Sequence, residues 1–397
     1  MDKKIRRNIN LDYISTFITN LNMQSSIWVL YLAYCGMNLM QIGLLEGIYH
    51  ATSIVCEIPS GALADLVGRK KSMMLGRICV TIPCIIMLFT RNFWWFAISF
   101  LLQALGNNFN SGSEEALVYD SMICLGEEKD YIRINGRINT VIEVSQAIAT
   151  VAGGVLAEYS YFVCYAACTV ISLLAFVPVV FMKEPPVLKD GEKEEHLTAG
   201  RLVARHFQTS FGILASDLRI LKIVTYFSVV FAAHTLLFFY SQQYYSDMGY
   251  NKIQISIIML FAGFASCLGA ILSERLYRRF EKKISVFSAA VIALTLVFYS
   301  IGNPVLSIGM FIGANFFNSV LYPIESESLN RIIPSEQRAT LISVNSMFFS
   351  IVMIVTFPVA GALADVWSLA PILGVFGALL LFFVFAWDVK ISRKNER

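Results

Sequence analysis

Charge is what this chain has least of. Only 15% of its 397 residues are Asp, Glu, Lys or Arg, where soluble domains carry about 25%. Apolar residues make up 56% and the mean hydropathy is +0.63, a composition that belongs in a bilayer rather than in water. Other absences narrow the chemistry. No Gly-x-x-x-x-Gly-Lys-Ser/Thr loop is present to cradle ATP phosphates. Neither a Gly-x-Ser-x-Gly turn nor a paired-histidine motif appears, so no catalytic residue and no cofactor is expected. The eight cysteines have no Cys-x-x-Cys spacing, which argues against a disulfide framework and against a metal site. The net charge of +3 comes without a basic–aromatic groove pattern, so nucleic acid is not an expected partner.

What the chain does have is long apolar runs. A bilayer-crossing helix needs about 20 apolar residues, and twelve such runs fall near 13–35, 41–65, 73–90, 93–123, 137–157, 161–182, 218–245, 252–274, 284–301, 304–330, 340–364 and 367–389. The basic start Met-Asp-Lys-Lys-Ile-Arg-Arg leads straight into a long span, and no cleavable signal peptide is expected. With the N-terminus inside, all but two of the 31 Lys and Arg residues lie on the inner side; Arg91 and Lys252 are the exceptions. That bias sets topology and predicts a multi-pass protein of the cell membrane with both termini in the cytoplasm.

The two halves repeat each other. Gly61-Ala-Leu recurs 208 residues later as Gly269-Ala-Ile, and Asn107-Asn-Phe-Asn-Ser111 recurs 208 later as Asn315-Phe-Phe-Asn-Ser319. Gly154-Val-Leu-Ala-Glu158 recurs 207 later as Gly361-Ala-Leu-Ala-Asp365. A near-constant offset at the second, fourth and fifth spans of each half implies six helices plus six. Parallel repeats of this kind are a known transporter plan, with substrate bound near the midplane. The expected organisation is an N-terminal six-helix bundle over 1–182, a cytoplasmic linker over 183–217 and a C-terminal six-helix bundle over 218–397. Within the linker, Arg201–Leu214 alternates apolar and basic residues as a surface-lying amphipathic helix would; a flexible linker accounts for it equally well.

The densest signal is Pro59-Ser-Gly-Ala-Leu-Ala-Asp-Leu-Val-Gly-Arg-Lys-Lys71, where an apolar run meets glycine, acid and base in quick succession. It resembles the signature after the second helix of the major facilitator superfamily of secondary transporters. Gly61, Asp65, Gly68, Arg69, Lys70 and Lys71 match in place, while Leu66 stands where that signature has its first basic residue. The resemblance implies an all-α membrane protein of twelve transmembrane helices in two pseudo-symmetric six-helix bundles. It also implies a cytoplasmic gate: Asp65 facing the inner end of the eleventh helix, and Arg69 paired with Asp120 at the end of the fourth. Two marks of drug–proton antiporters are missing. Leu102 stands in place of an arginine four residues before Gly106, and Ala149-Thr150 in place of a Gly-Pro ahead of Gly153-Gly154.

Ionisable side chains inside spans are expensive and mark function. Glu46 and His50 lie one turn apart on the second span, and Glu143 lies two turns into the fifth; these are the expected proton-coupling positions. Glu114–Glu115 and Glu325–Glu327 lie in the inner parts of the fourth and tenth spans, where neighbouring acids suit proton handling and equally suit a hydrated vestibule. Substrate contacts are expected from the repeat-related Asn107, Asn110, Asn315 and Asn318, and from His234 in the seventh span, although amides also hold helices together. The expected partners are a small-molecule substrate, protons or another coupling ion, and the lipid bilayer, with the chain a monomer. The leading expectation is alternating-access, proton-coupled efflux of amphipathic compounds or drugs; the alternative is transport of polar solutes such as sugars, peptides or organic acids.

Overall fold

The structure is a computed structural model that describes residues 2–186, 218–330 and 338–387, together with the single positions 208, 212 and 332. Nearly all of the 183–217 linker, including Arg201–Leu214, lies outside the described residues. Among those described, helix dominates and no strand occurs.

The first apolar run is interrupted rather than continuous. It comprises α1 (Asp2–Asn20), a 3-10 turn at Met23–Ser26 and α2 (Trp28–Tyr34). Asn20, Asn22 and Gln24 cluster at the break, and such side chains compete for backbone hydrogen bonds. Then follow α3 (Leu39–Val67), α4 (Arg69–Phe89), α5 (Phe93–Leu125), α6 (Tyr131–Tyr159), and the sixth run as α7 (Tyr161–Leu174) with α8 (Phe176–Phe181). The second half supplies α9 (Leu218–Asp247), α10 (Lys252–Phe280), α11 (Lys282–Tyr299), α12 (Pro304–Asn330), α13 (Arg338–Trp367) and α14 (Leu369–Ala386). Eight helical spans among the described residues are long and apolar enough to cross a membrane.

Local chemistry sets several boundaries. Asn92 Oδ1 accepts the Trp94 N–H at 2.9 Å to start α5, and left-handed Gly126 ends it. Asn251 and Gln254 form a reciprocal capping box that opens α10.

Two compact units emerge. The first comprises residues 1–28 and 48–206, and the second residues 29–47 and 207–397. In the first, α4 runs along α5, α1 lies against α5 and α6, and α7 packs on α4. Met73, Leu117, Val179 and Met182 form one of its buried apolar clusters. In the second, α10 packs along α12, α11 against α12 and α14, and α9 against α13. The phenols there are wired together: the Tyr299 hydroxyl lies 2.9 Å from those of Ser241 and Tyr245, and the Tyr244 hydroxyl donates to the Tyr299 carbonyl at 3.0 Å. Buried hydroxyls persist in an apolar core only when bonded in this way, so this part of the aromatic richness is structural.

Candidate functional site

The first unit buries an ionic centre. Arg77, on α4, is 2% exposed, and its Nη2 donates to Ser15 Oγ of α1 at 3.0 Å. The same Nη2 lies 3.3 Å and 3.5 Å from the two carboxylate oxygens of Glu114 on α5. Nε and Nη1 of Arg77 have no hydrogen-bond partner. Asp12, on α1 and 1% exposed, lies within electrostatic reach of both Arg77 and Glu114, with its Oδ1 buried and unpartnered. Three ionisable groups from three helices thus meet inside one bundle.

Next to it, the start of α4 is held by a carboxylate from far along the chain. Gly68 takes φ +97, ψ 150, a conformation open only to glycine in practice. The following N–H groups, those of Arg69 and Lys70, reach Glu184 Oε1 at 2.6 Å and Oε2 at 2.9 Å. These are donors that a helix start leaves without intrahelical partners, at the positive end of its dipole. Asn8 of α1 brings Glu184 into place. It accepts the Lys183 N–H at 2.9 Å, donates to the Lys183 carbonyl at 2.8 Å, and also donates to Ser121 Oγ at 2.9 Å.

Of the expected gate residues, Gly61 lies in α3 with open space around it, and Asp120 sits half-buried near the end of α5. Asp65 falls in α3, its side chain outside the described residues. Asn107 is exposed and donates to the Tyr49 hydroxyl at 2.8 Å, whereas Asn110 is buried against Gly76. His50 is buried on α3, with the Tyr49 ring edge-on at 5.4 Å. Glu143 is exposed on α6; three residues on, Gln146 donates to Asn20 Oδ1 at 3.2 Å.

The second unit brings other expected residues together. His234 Nε2, on α9, lies 3.2 Å from Asn315 Oδ1 on α12, and the Asn315 amide donates to the Phe311 carbonyl at 2.8 Å. One turn on, Asn318 and Glu325 are buried, each with a side-chain oxygen that has no hydrogen-bond partner. Rings flank this polar row: Phe231 stacks on Tyr322 at 4.4 Å, and Phe238 on Phe311 at 6.0 Å. Glu46, on the stretch of α3 that belongs to this unit, is 8% exposed.

The same stretch begins with a second carboxylate clamp. Asp365 of α13 accepts the N–H groups of Leu39 and Met40, each at 2.9 Å. Asn38 Oδ1 accepts the Gln41 N–H at 2.8 Å, so the first three donors of α3 are all satisfied. Gly43 and Gly361 let the two backbones touch: a Cβ on Gly43 would stand 2.6 Å from the Phe357 carbonyl oxygen, and one on Gly361 would collide with that of Leu39.

Arg77, Asp12, Glu184 and Asp365 escape the sequence pattern as functional residues. Arg77 stands eight residues after Arg69 and reads as the tail of one basic run, although a lone arginine amid Leu75-Gly76 and Ile78-Cys79-Val80 is itself a signal.

The Major Facilitator Superfamily model matches residues 13–323. This chain belongs to the Major Facilitator Superfamily. A similar relative is the uncharacterized MFS-type transporter YxaM of Bacillus subtilis (strain 168), 24% identical over 386 residues, spanning 94% of this chain and 92% of the relative. Among solved structures, the nucleoside transporter NupG superposes with a TM-score of 0.73 at 14% identity, covering 98% of this chain and 99% of its own. A D-xylose–proton symporter superposes with a TM-score of 0.67 at 14% identity and the same coverage. The fold is therefore the all-α MFS fold expected from the apolar runs and the half-repeat, and the protein is an integral-membrane secondary transporter.

Proposed function

We propose that this protein moves an uncharged or weakly basic, ring-bearing amphipathic solute out of the cell by alternating access, coupled to protons. The observation that carries this reading is the row His234–Asn315–Asn318–Tyr322 with its flanking rings. Neutral donors and acceptors beside aromatic faces suit a solute with a flat apolar body and a few polar groups. A fixed cationic clamp is what a sugar acid or dicarboxylate would need, and this row contains no Lys or Arg, its one charged neighbour being the acid Glu325. Asn107 and Asn110 are the corresponding contacts proposed for the other half-repeat. Both termini are assigned to the cytoplasm, 1–182 and 218–397 act as the two moving bundles, and the chain works as a monomer. Asp65, Arg69 and Asp120, with Gly61 and Gly68, form the inner gate. Glu46 with His50, and Glu143, are the proton-carrying positions drawn from the sequence.

A second reading is import or export of a polar solute, and the number of amides in the row favours it. NupG and the xylose symporter, which share the fold, are a nucleoside and a sugar transporter. The deciding experiment reconstitutes the protein in liposomes, imposes a pH gradient and follows ethidium, uridine and D-xylose in parallel. Gradient-dependent ethidium flux supports the first reading; uridine or xylose flux without ethidium flux replaces it with the second. Flux indifferent to the gradient removes proton coupling.

A further inference from the structure

The ionic centre of the first unit has a charge balance that does not close. Asp12, Glu114 and Arg77, all ionised, sum to one negative charge within a helical bundle. One added proton brings the group to neutrality. Asp12 and Arg77 are buried and the Glu114 side chain is 23% exposed. A net charge held largely away from water is costlier than a neutral hydrogen-bonded set, so the bundle favours the state with one proton on the two acids.

The hydrogen bonds favour Asp12 as its carrier. Glu114 faces Arg77 Nη2 with both oxygens and is the ionised partner. Asp12 Oδ1 is buried with no donor, a placement that a carboxylic acid tolerates and a carboxylate does not. Arg77 holds its remaining donors in reserve. Of a guanidinium with five N–H bonds, Nη2 alone is engaged, and Nε and Nη1 are buried without partners. When Asp12 releases its proton, those donors are the ones at hand to receive the new carboxylate. Losing the proton therefore draws α1 and α4 together through Arg77, and regaining it frees them.

The surroundings add few competitors. On α6, Tyr131 lies within electrostatic reach of Asp12 and donates its hydroxyl to Glu115 at 2.8 Å. The α7 and α8 segments contain no Asp, Glu, Lys, Arg or His. From α1 itself, Ser15 supplies the hydroxyl that holds Nη2.

We propose that Asp12 and Glu114, sharing Arg77 as their common cation, form a single-proton site that switches the α1–α4–α5 contact. Its use in transport rests on the proton-coupled reading above; its titration does not. Two measurements separate them. Infrared difference spectra of the purified full-length protein across a pH series report protonated buried carboxyl groups directly, with the proton as the ligand. The wild type should show such a band, Asp12→Asn should lose the component that Glu325→Gln leaves in place, and Glu114→Gln, should Asp12→Asn not fold, should change or shift that component. Glu46→Gln and Glu143→Gln should leave it in place. A band unchanged in both Asp12→Asn and Glu114→Gln, or one abolished by Glu46→Gln or Glu143→Gln instead, overturns the site. In liposomes, Asp12→Asn should retain solute exchange at equal pH and lose its acceleration by a pH gradient. If wild-type flux ignores the gradient while the band behaves as stated, the coupled reading falls and the proton site stands. If wild-type flux follows the gradient and Asp12→Asn follows it equally, the switch role is overturned.

Discussion

Glu184 and Arg69, 115 positions apart in the chain, meet at 2.6 Å through a carboxylate oxygen and a backbone N–H. With Lys70 as the second donor, the carboxylate closes the start of α4 at the segment proposed above as the inner gate. The relationship explains why Gly68 must be glycine: its φ of +97 turns the chain so that both N–H groups face one carboxylate, and a Cβ there would stand 3.0 Å from the Glu184 carboxyl carbon. Gly68→Ala should lower stability by about 1–3 kcal/mol from backbone strain. Thermal unfolding of the detergent-solubilised protein reads this as a lower midpoint, and an unchanged midpoint would show that the turn relaxes.

Removing the acid tests the same contact from the other side. Glu184→Gln keeps one acceptor but loses the charge, and Glu184→Ala loses both, so the ordering of stability should be wild type, then Gln, then Ala. The full loss should be about 1 kcal/mol, the usual worth of a helix-start cap. Equal midpoints for Gln and Ala would mean that the charge contributes everything and the geometry nothing.

The second clamp gives a parallel expectation. Asp365→Ala strips the acceptor from Leu39 and Met40 at the start of α3 and should again cost about 1 kcal/mol, with more where the bared donors stay buried. Hydrogen exchange at the two amides is the sharpest readout. Both should exchange faster in the variant while the amides of α9 keep their protection.

Much of this architecture was legible before any coordinates. Apolar runs located the helices because a bilayer-crossing segment must satisfy its backbone internally and so appears as one uninterrupted stretch. The interrupted first run was not legible, since the break at Met23–Ser26 depends on side chains competing locally for the backbone. His234 and Asn315 could each be named from burial in mid-span, yet their pairing spans 81 positions. The two carboxylate clamps were the least visible, because an acid near a helix end reads as solvated charge until its distant partner is known. Asp365 showed only as the repeat of Glu158, which gives its position and not its contact.

The His234–Asn315 pair yields the last expectation, and it separates binding from folding. Asn315→Leu removes the Oδ1 that faces His234 Nε2 at 3.2 Å and leaves a buried ring nitrogen without a partner, a loss of about 1–3 kcal/mol. His234→Phe removes the ring nitrogens and leaves Asn315 Oδ1 bare instead. The double variant His234→Phe/Asn315→Leu strips both partners from the pair, so its stability should recover part of either single loss. Transport should not recover with it. If this row contacts solute, the double variant folds better than the singles and still fails to move whichever probe the wild type carries. Flux that returns along with stability would make the pair a packing element alone.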